Sequence, residues 1–514
     1  MTTSASSVTH RRVVIVGAGF AGIGAAAALR RAGIEDFIVL ERAAELGGVW
    51  RDNVYPGCAC DVQSHLYQYA SVPNPDWTER YASGREIWDY LERCATELGV
   101  RPRIRFRREV TGLDWDEEAG HWSLGLGGER LTADLVILAV GALSEPLMPS
   151  IAGLGSFAGP VFHSARWEPS FQPRGRRIAV IGSGASAAQV IPAIQPVAEQ
   201  VVSFQRTPAW VVPRWNRPVS TRRRGLFRRR PRLARLYRSW IHVNRELLGV
   251  AFRRPALMPL LEGVARLHLR RSVPDPALRA ALTPRYLIGC KRILVSDDYL
   301  ASLCRTNVSV ATGGATLVRE HAVVDAAGRA YEVDAIVCCT GFQASDFRYG
   351  RYVRGRGGRS LTDVWAGAPQ AHLGTTVHGF PNLFILQGPH TGLGHSSVIL
   401  IQEAQIEHVV GAVRYLEREG LTALEPTAEA QARFVAEVDR RMQRTVWLRG
   451  GCRSWYLDES GRNPTLWPGS VGRFRRLVAP FRAAEYRAWR VERPGPSAPA
   501  DRGGGPMDKR ARTP

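Results

Sequence analysis

The chain has 514 residues, 45% hydrophobic and 23% charged, with a formal charge of +22. That length exceeds one ordinary core and predicts two or three domains, while no apolar run reaches the roughly 18 residues that a membrane-spanning helix needs. The excess charge is nearly all arginine, with lysine only at 291 and 509 and one dense arginine cluster at 222–238; arginine spread along the whole chain fits a compositional bias and argues against a nucleic-acid partner.

The opening MTTSASSVTHRR is polar and lacks the basic and apolar regions of a signal peptide. Eight cysteines, at 58, 60, 94, 290, 304, 338, 339 and 452, are scattered without a metal-type CxxC pair. The expectation is a reduced, cytoplasmic protein with no metal site.

Residues 11–33, RRVVIVGAGFAGIGAAAALRRAG, read as an apolar strand, a glycine turn and an alanine-rich helix. Gly17, Gly19 and Gly22 supply GxGxxG in the required context: the first permits the turn, the second lets backbone approach a pyrophosphate, and the third packs helix on strand. A second strand, Phe37 to Leu40, ends at Glu41, whose carboxylate can accept hydrogen bonds from both ribose hydroxyls of an adenosine.

Next comes FAGPVFHSARW (157–167), in which Phe157, Gly159, His163 and Trp167 recur at spacings of two, four and four. Pro160 and the glycine before it make a helix improbable. The dinucleotide pattern then repeats in RRIAVIGSGASAAQVIPAI (176–194), with Gly182, Gly184, Ser186 and Ala187. The following strand, Val201 to Phe204, runs into Gln205-Arg206-Thr207. Glu41 stands 24 residues after Gly17, and Arg206 stands 24 after Gly182. A guanidinium where the first fold has an acid suits a 2′-phosphate, so the second fold is expected to take NADPH.

Residues 213–289 form an arginine- and leucine-rich insertion. In RLARLYRSWIHV (232–243), Leu233, Leu236, Tyr237 and Trp240 fall at helical spacing. This predicts an amphipathic helix packed on its own domain, with a membrane-surface helix as the sharper alternative. EVDAIVCCTGF (332–342) and NLFILQGPHTGLGH (382–395) each run a strand into glycine turns, bringing Gly341 and Gly388 to cofactor-binding positions. Returning pieces of this kind complete the FAD domain of two-domain flavoproteins, which assigns FAD to the first fold. From 491 onward the composition is that of a disordered tail.

GGVWRDNVYPGCACD (47–61), the opening fold and the 157–167 connector together resemble fingerprints of the type I Baeyer–Villiger monooxygenases, class B flavoprotein monooxygenases. The likeness covers roughly residues 11 to 480. Gly48, Trp50, Tyr55, Pro56, Gly57 and Asp61 fall on the family's pattern; the chain departs from it after Trp167, where Glu168 and Pro169 follow. Flavin disulfide reductases share the fold, but they place a redox cysteine close to their glycine pair, where this chain has Trp50; Cys58 and Cys60 are too close for an easy disulfide ring.

The resemblance implies an α/β chain of two Rossmann-like domains with a helical insertion in the second. The boundaries read as 1–148 for the first part of the FAD domain, 149–212 for the linker and first part of the NADP domain, 213–289 for the insertion, 290–335 for the second part of the NADP domain, 336–490 for the second part of the FAD domain with the C-terminal loop, and 491–514 for the tail. It further implies that the connector transmits relative motion of the domains, with Gly159 giving it freedom. In LIGCKRILVSDDYLASLCRTNV (287–308), Arg292 falls on the family's active-site arginine, oriented by Asp61, with Lys291 as the alternative cation. The implied reaction oxidises a small apolar ketone with O2 to an ester or lactone through a C4a-peroxyflavin, whose anion and tetrahedral adduct a fixed guanidinium would stabilise. Trp455, in the loop 452–470, would touch NADP or substrate. Heteroatom oxygenation or hydroxylation by a related flavoenzyme is the alternative chemistry, and a non-catalytic nucleotide-binding or peripheral membrane protein the alternative class.

Overall fold

Val13 to Val16 are apolar without interruption, and such a run suits a strand covered on both faces. In the computed structural model, which describes residues 9–343 and 347–492, they end the strand Thr9–Val16 in the interior of the first sheet. That sheet runs Val353–Arg354, Gly112–Asp116, His121–Gly125, Arg130–Leu138, Thr9–Val16, Phe37–Leu40, Ile104–Arg105.

The long strand Arg130–Leu138 forks. Its first half pairs antiparallel with His121–Gly125, and its second half pairs parallel with Leu383–Ile385. The strand from 382–395 therefore does return to the first sheet, as its sequence suggests. The helices Phe20–Arg31, Gly84–Glu97 and Ile399–Glu419 share one apolar core on the same sheet face.

The second sheet is wholly parallel, in the order Val308–Thr312, Gln200–Gln205, Arg177–Ile181, Ala335–Cys338, Val161–His163. Two sequence expectations are corrected here. Ala335–Cys338 completes the second sheet and not the first, so the return to the first domain begins after Cys338 and not at 336. The connector is ordered where Gly159 was expected to loosen it: Val161–His163 is that sheet's edge strand. Gly159 keeps an ordinary φ; a Cβ there would lie 2.3 Å from the Asp334 carbonyl oxygen, so glycine is needed for close approach and not for freedom. Phe157 and Trp167 are buried in the two cores flanking the second sheet.

The insertion is helical as expected, with Thr221–Arg229, Pro231–Arg253, Met258–Ser272 and Pro276–Ala281. The parallel pair of Val211–Val212 with Leu294–Val295 closes its neck. Its longest helix buries Ala234, Ile241 and Phe252, whereas Leu236 and Trp240 are 65% and 56% exposed. That corrects the expectation that the leucine–tryptophan stripe packs inward. No helix of the described residues is long and apolar enough to cross a membrane. The tail lies outside the described residues from 493 onward.

Candidate active site

Both glycine turns end a strand that is paired in parallel on both sides, at the carboxyl edge of its sheet, where α/β folds hold ligands. Gly17 and Gly182 adopt φ of +105° and +123°, a region that L side chains avoid. A Cβ would lie 2.6 Å from the Ala139 carbonyl oxygen in the first turn and 2.3 Å from that of Cys339 in the second. On Gly22 a Cβ would overlap the Gly17 oxygen, so helix and strand touch through glycine alone. The helix Phe20–Arg31 has neither a side-chain cap nor an acid in its first turn, which leaves its leading N–H groups for an anion. Gly48 backs Gly19 across this turn, and the space around Gly184 is open.

Glu41 is buried and aimed back at the turn. Its Oε2 accepts from the Ala18 N–H at 2.9 Å, and Oε1 accepts from the Ala43 N–H at 3.0 Å and from Arg51 Nη1 at 3.2 Å. A carboxylate has about four lone-pair positions, so capacity remains for a ribose hydroxyl. A cavity of about 450 Å³ opens beside it, lined by Arg42, Arg51, Asp52, Arg166 and Trp167. It lies between the first fold and the connector. These features fit an adenine dinucleotide in the first fold.

Arg206 is exposed at the end of Gln200–Gln205, and Ser183 Oγ donates to the Thr207 carbonyl at 2.7 Å, fixing the segment against the second glycine turn. Lys291, which the sequence left as an alternative to Arg292, stands beside Arg206 instead. Burial and then the Arg206 charge lower its pKa, and its Nζ sits 5.1 Å from the Tyr286 ring centroid. Neither cation pairs with a carboxylate among the described residues. Two unneutralised cations fit a dianionic 2′-phosphate.

Where the two folds and the insertion meet, Asp61 and Arg292 come together across 231 residues of sequence. Arg292 Nε and Nη2 donate to Asp61 Oδ2 at 2.7 and 2.6 Å. Burial alone would raise the Asp61 pKa; the Arg292 charge and hydrogen bonds outweigh it and hold the carboxyl below its usual range. Asp61 in turn raises the guanidinium further. The side chains remain 36% and 25% exposed for Arg292 and Asp61, so the pair faces open space.

Three neighbours escaped sequence reasoning. Tyr456 is buried, with its hydroxyl facing Arg292. Arg245, from the insertion, adds a second positive charge near Asp61 and donates to Tyr81 Oη. Tyr67, which accepts from Trp50 Nε1 at 3.2 Å, lies close to both Asp61 and Arg292. Trp455 is 44% exposed and packs on Tyr456 at 4.3 Å, so the tyrosine and not the tryptophan faces the ion pair.

The cysteine reading also needs correction. Cys290 and Cys452 form a disulfide, with Cα atoms 6.2 Å apart, tying the segment just before Arg292 to the C-terminal loop. Sequence separation of 162 residues hid the pair.

Gly341 and Gly388 lie at the carboxyl edges of the second and first sheets. Leu147 N–H donates to the Gly341 carbonyl, and Thr391 Oγ1 donates to that of Gly388 at 2.6 Å. His163, at the end of the connector's edge strand, is buried beside Gly341, its ring edge-on to Phe342 and its Nδ1 accepting from the Ala165 N–H. Ser186 caps no N–H of the helix Ala187–Ile194 and lies beside Tyr55.

Residues 10–222 match the family model described as FMO-like, flavin-binding monooxygenase-like. A Baeyer–Villiger monooxygenase of Streptomyces coelicolor is 46% identical over 490 residues, covering 95% of this chain and 94% of that protein. Another from Pseudomonas aeruginosa is 43% identical over 485 residues, covering 94% and 92%. Among solved structures, the OTEMO complex with FAD and NADP aligns with a TM-score of 0.85 at 27% identity, covering 94% of this chain and 100% of that one. Oxidized steroid monooxygenase bound to NADP aligns at 0.83 and 31% identity with the same coverage. Such agreement along nearly the whole chain defines the class, an NADPH-dependent flavoprotein monooxygenase. Within that class, the chain belongs to the Baeyer–Villiger monooxygenases.

Proposed function

We propose that the chain inserts one oxygen atom of O2 beside the carbonyl of a small apolar ketone, with Arg292 as the catalytic cation and Asp61 as its positioning partner. The observation that carries this reading is the Asp61–Arg292 ion pair, partly exposed at the junction of two dinucleotide folds. FAD would be held by Gly17, Gly19, Gly22, Glu41, Gly48 and Trp50, and NADPH by Gly182, Gly184, Ser186, Arg206 and Thr207 with Lys291 added. Gly341 and Gly388 close the two sheet edges. When bound and reduced by NADPH, the flavin supplies the activated oxygen.

The protein's own part is electrostatic. A guanidinium held by one carboxylate oxygen keeps donors free to face negative charge as it develops on the reacting oxygens, without reorganising at that moment. Asp61 fixes its direction, and the buried Tyr456 hydroxyl faces it. The apolar core around Trp210, Phe252, Met258 and Trp447 limits water near that charge. The demand for NADPH supports the cytoplasm as the place of work, although the Cys290–Cys452 disulfide is unusual there.

The test is a panel of apolar ketones supplied to the FAD-loaded enzyme with NADPH and O2, with product read by mass spectrometry. An ester or lactone formed in step with NADPH consumption is expected. N-oxides or sulfoxides from amine or sulfide probes, with no ester from any ketone, would overturn the proposed substrate class.

A further inference from the structure

We infer that the outer face of the helical insertion docks on an anionic phospholipid surface. The helices Pro231–Arg253 and Met258–Ser272 carry more apolar surface than the fold uses. Their inner sides are accounted for by buried Ala234, Ile241, Phe252, Met258, Ala265 and Leu269. A second set points outward: Leu236, Trp240, Val243 and Leu247 follow at spacings of four, three and four on the first helix, so they form one stripe. Leu247 is 64% exposed, and Leu260 on the second helix is 77% exposed. The two helices meet at an open apolar groove of about 500 Å³, lined in part by Leu247, Leu248, Leu257, Leu260, Leu261 and Val264. Continuous exposed apolar surface of this kind marks an interaction site.

The charge around it selects the occupant. Residues 221–272 contain fifteen arginines and two glutamates, with no lysine or aspartate. Both glutamates are engaged, Glu246 with His395 and Glu262 with Arg266. Arg229, Arg230, Arg232, Arg235, Arg270 and Arg271 are exposed, and none pairs with a carboxylate among the described residues. A leucine–tryptophan stripe flanked by free arginines matches the two layers of an anionic bilayer surface, acyl chains under phosphate. A nucleic acid would satisfy the arginines but leave the leucines unburied. A second copy of the chain would bury the leucines but bring two strongly positive regions together. Neither helix can cross the membrane, so the face would lie on it. The same helices reach inward through Phe252 and Met258 to the core containing Cys290 and Tyr456, beside Arg292, which sets the docked face close to a site for an apolar substrate.

The experiment floats the FAD-loaded full chain with extruded vesicles of pure phosphatidylcholine and of phosphatidylcholine with about one quarter phosphatidylglycerol, in about 50 mM and about 500 mM salt. Binding to the anionic vesicles at low salt, at least about tenfold stronger than to neutral ones, is expected. The combined variant Leu236→Ser, Leu247→Ser, Leu260→Ser should lower that binding by about tenfold or more. It should leave NADPH-driven flavin reduction unchanged, since all three side chains are exposed. Three results would overturn the inference: no preference for anionic vesicles, binding indifferent to the leucine variant, or a wild-type dimer that the same variant converts to monomers in sedimentation.

Discussion

The Tyr55 hydroxyl donates to Gln189 Oε1 at 2.9 Å, fastening the segment that leads to Asp61 onto the first helix of the second fold. Gln189 Nε2 returns a hydrogen bond to the Ala59 carbonyl at 2.9 Å, and a Cβ on Gly57 would come within 2.6 Å of the Gln189 carbonyl oxygen. One glutamine thus meets three positions of the Tyr55–Asp61 turn. Tyr55→Phe and Gln189→Ala should each cost about 1 kcal/mol of stability. Because they remove the same contact, the double variant should cost less than the sum. Thermal melts of all three variants give the answer, and strict additivity would show that the two residues are not coupled.

Arg206 and Lys291 stand side by side with no carboxylate partner among the described residues, so both should read the 2′-phosphate. Arg206→Ala should raise the KM for NADPH about tenfold or more while barely moving NADH kinetics, the loss of one charge-assisted contact of roughly 1.5–3 kcal/mol. Lys291→Ala should act in the same direction. Steady-state kinetics with each nicotinamide checks this; equal losses with both cofactors would remove the phosphate from the explanation.

Much of this site is written locally. Glycines at fixed offsets, an acid or an arginine closing the next strand, and the Tyr-Pro-Gly turn each owe their meaning to residues within about 25 positions, which is why both dinucleotide folds were legible. Contacts made over long range were not legible in the residues by themselves. Asp61 meets Arg292 across 231 residues, and the pair was anticipated only through family likeness. Cys290–Cys452, Arg245 near Asp61 and Tyr456 on Arg292 join segments whose proximity depends on how the insertion and C-terminal loop fold back. Ala335–Cys338 lies in the second sheet although its sequence suits the first equally well, because a fully apolar strand looks the same wherever it is buried. The outward direction of the leucine stripe is hidden from the sequence for a related reason: helical periodicity identifies an apolar face without saying what covers it.

The packing of the connector makes Gly159 a structural requirement and His163 the residue at the seam. Gly159→Ala would push a Cβ against the Asp334 carbonyl and Phe157, an overpacking that should destabilise by about 1–3 kcal/mol. His163→Ala should keep bound FAD and lower the yield of product per NADPH. Calorimetry on the first variant and coupling assays on the second check the two halves separately; an unchanged coupling ratio would leave His163 a packing residue only.

Asp61 should show its ion pair in the acid limb of stability. Its carboxyl is held below the usual range by Arg292 against the effect of burial. Folding therefore gains from its ionised form above the unfolded pKa of about 3.9, and loses that gain as pH falls through the lower folded value. Wild type should be more stable than Asp61→Asn near neutrality, with the difference shrinking below about pH 4. Urea melts across that range check the sign, and a gap that widened on acidification would contradict the pairing.

Arg292 is assigned to the negative charge that develops after the flavin has been reduced, and Arg292→Ala isolates that step. Loss of one preorganised donor costs about 3–4 kcal/mol, or roughly a hundred- to a thousandfold in rate. The decisive measurement follows flavin absorbance by stopped flow in Arg292→Ala while ester and hydrogen peroxide are assayed in the same reaction. The variant should bind FAD, accept reduction by NADPH and consume oxygen, yet release hydrogen peroxide in place of ester. Ester formation at near the wild-type rate would contradict the assignment.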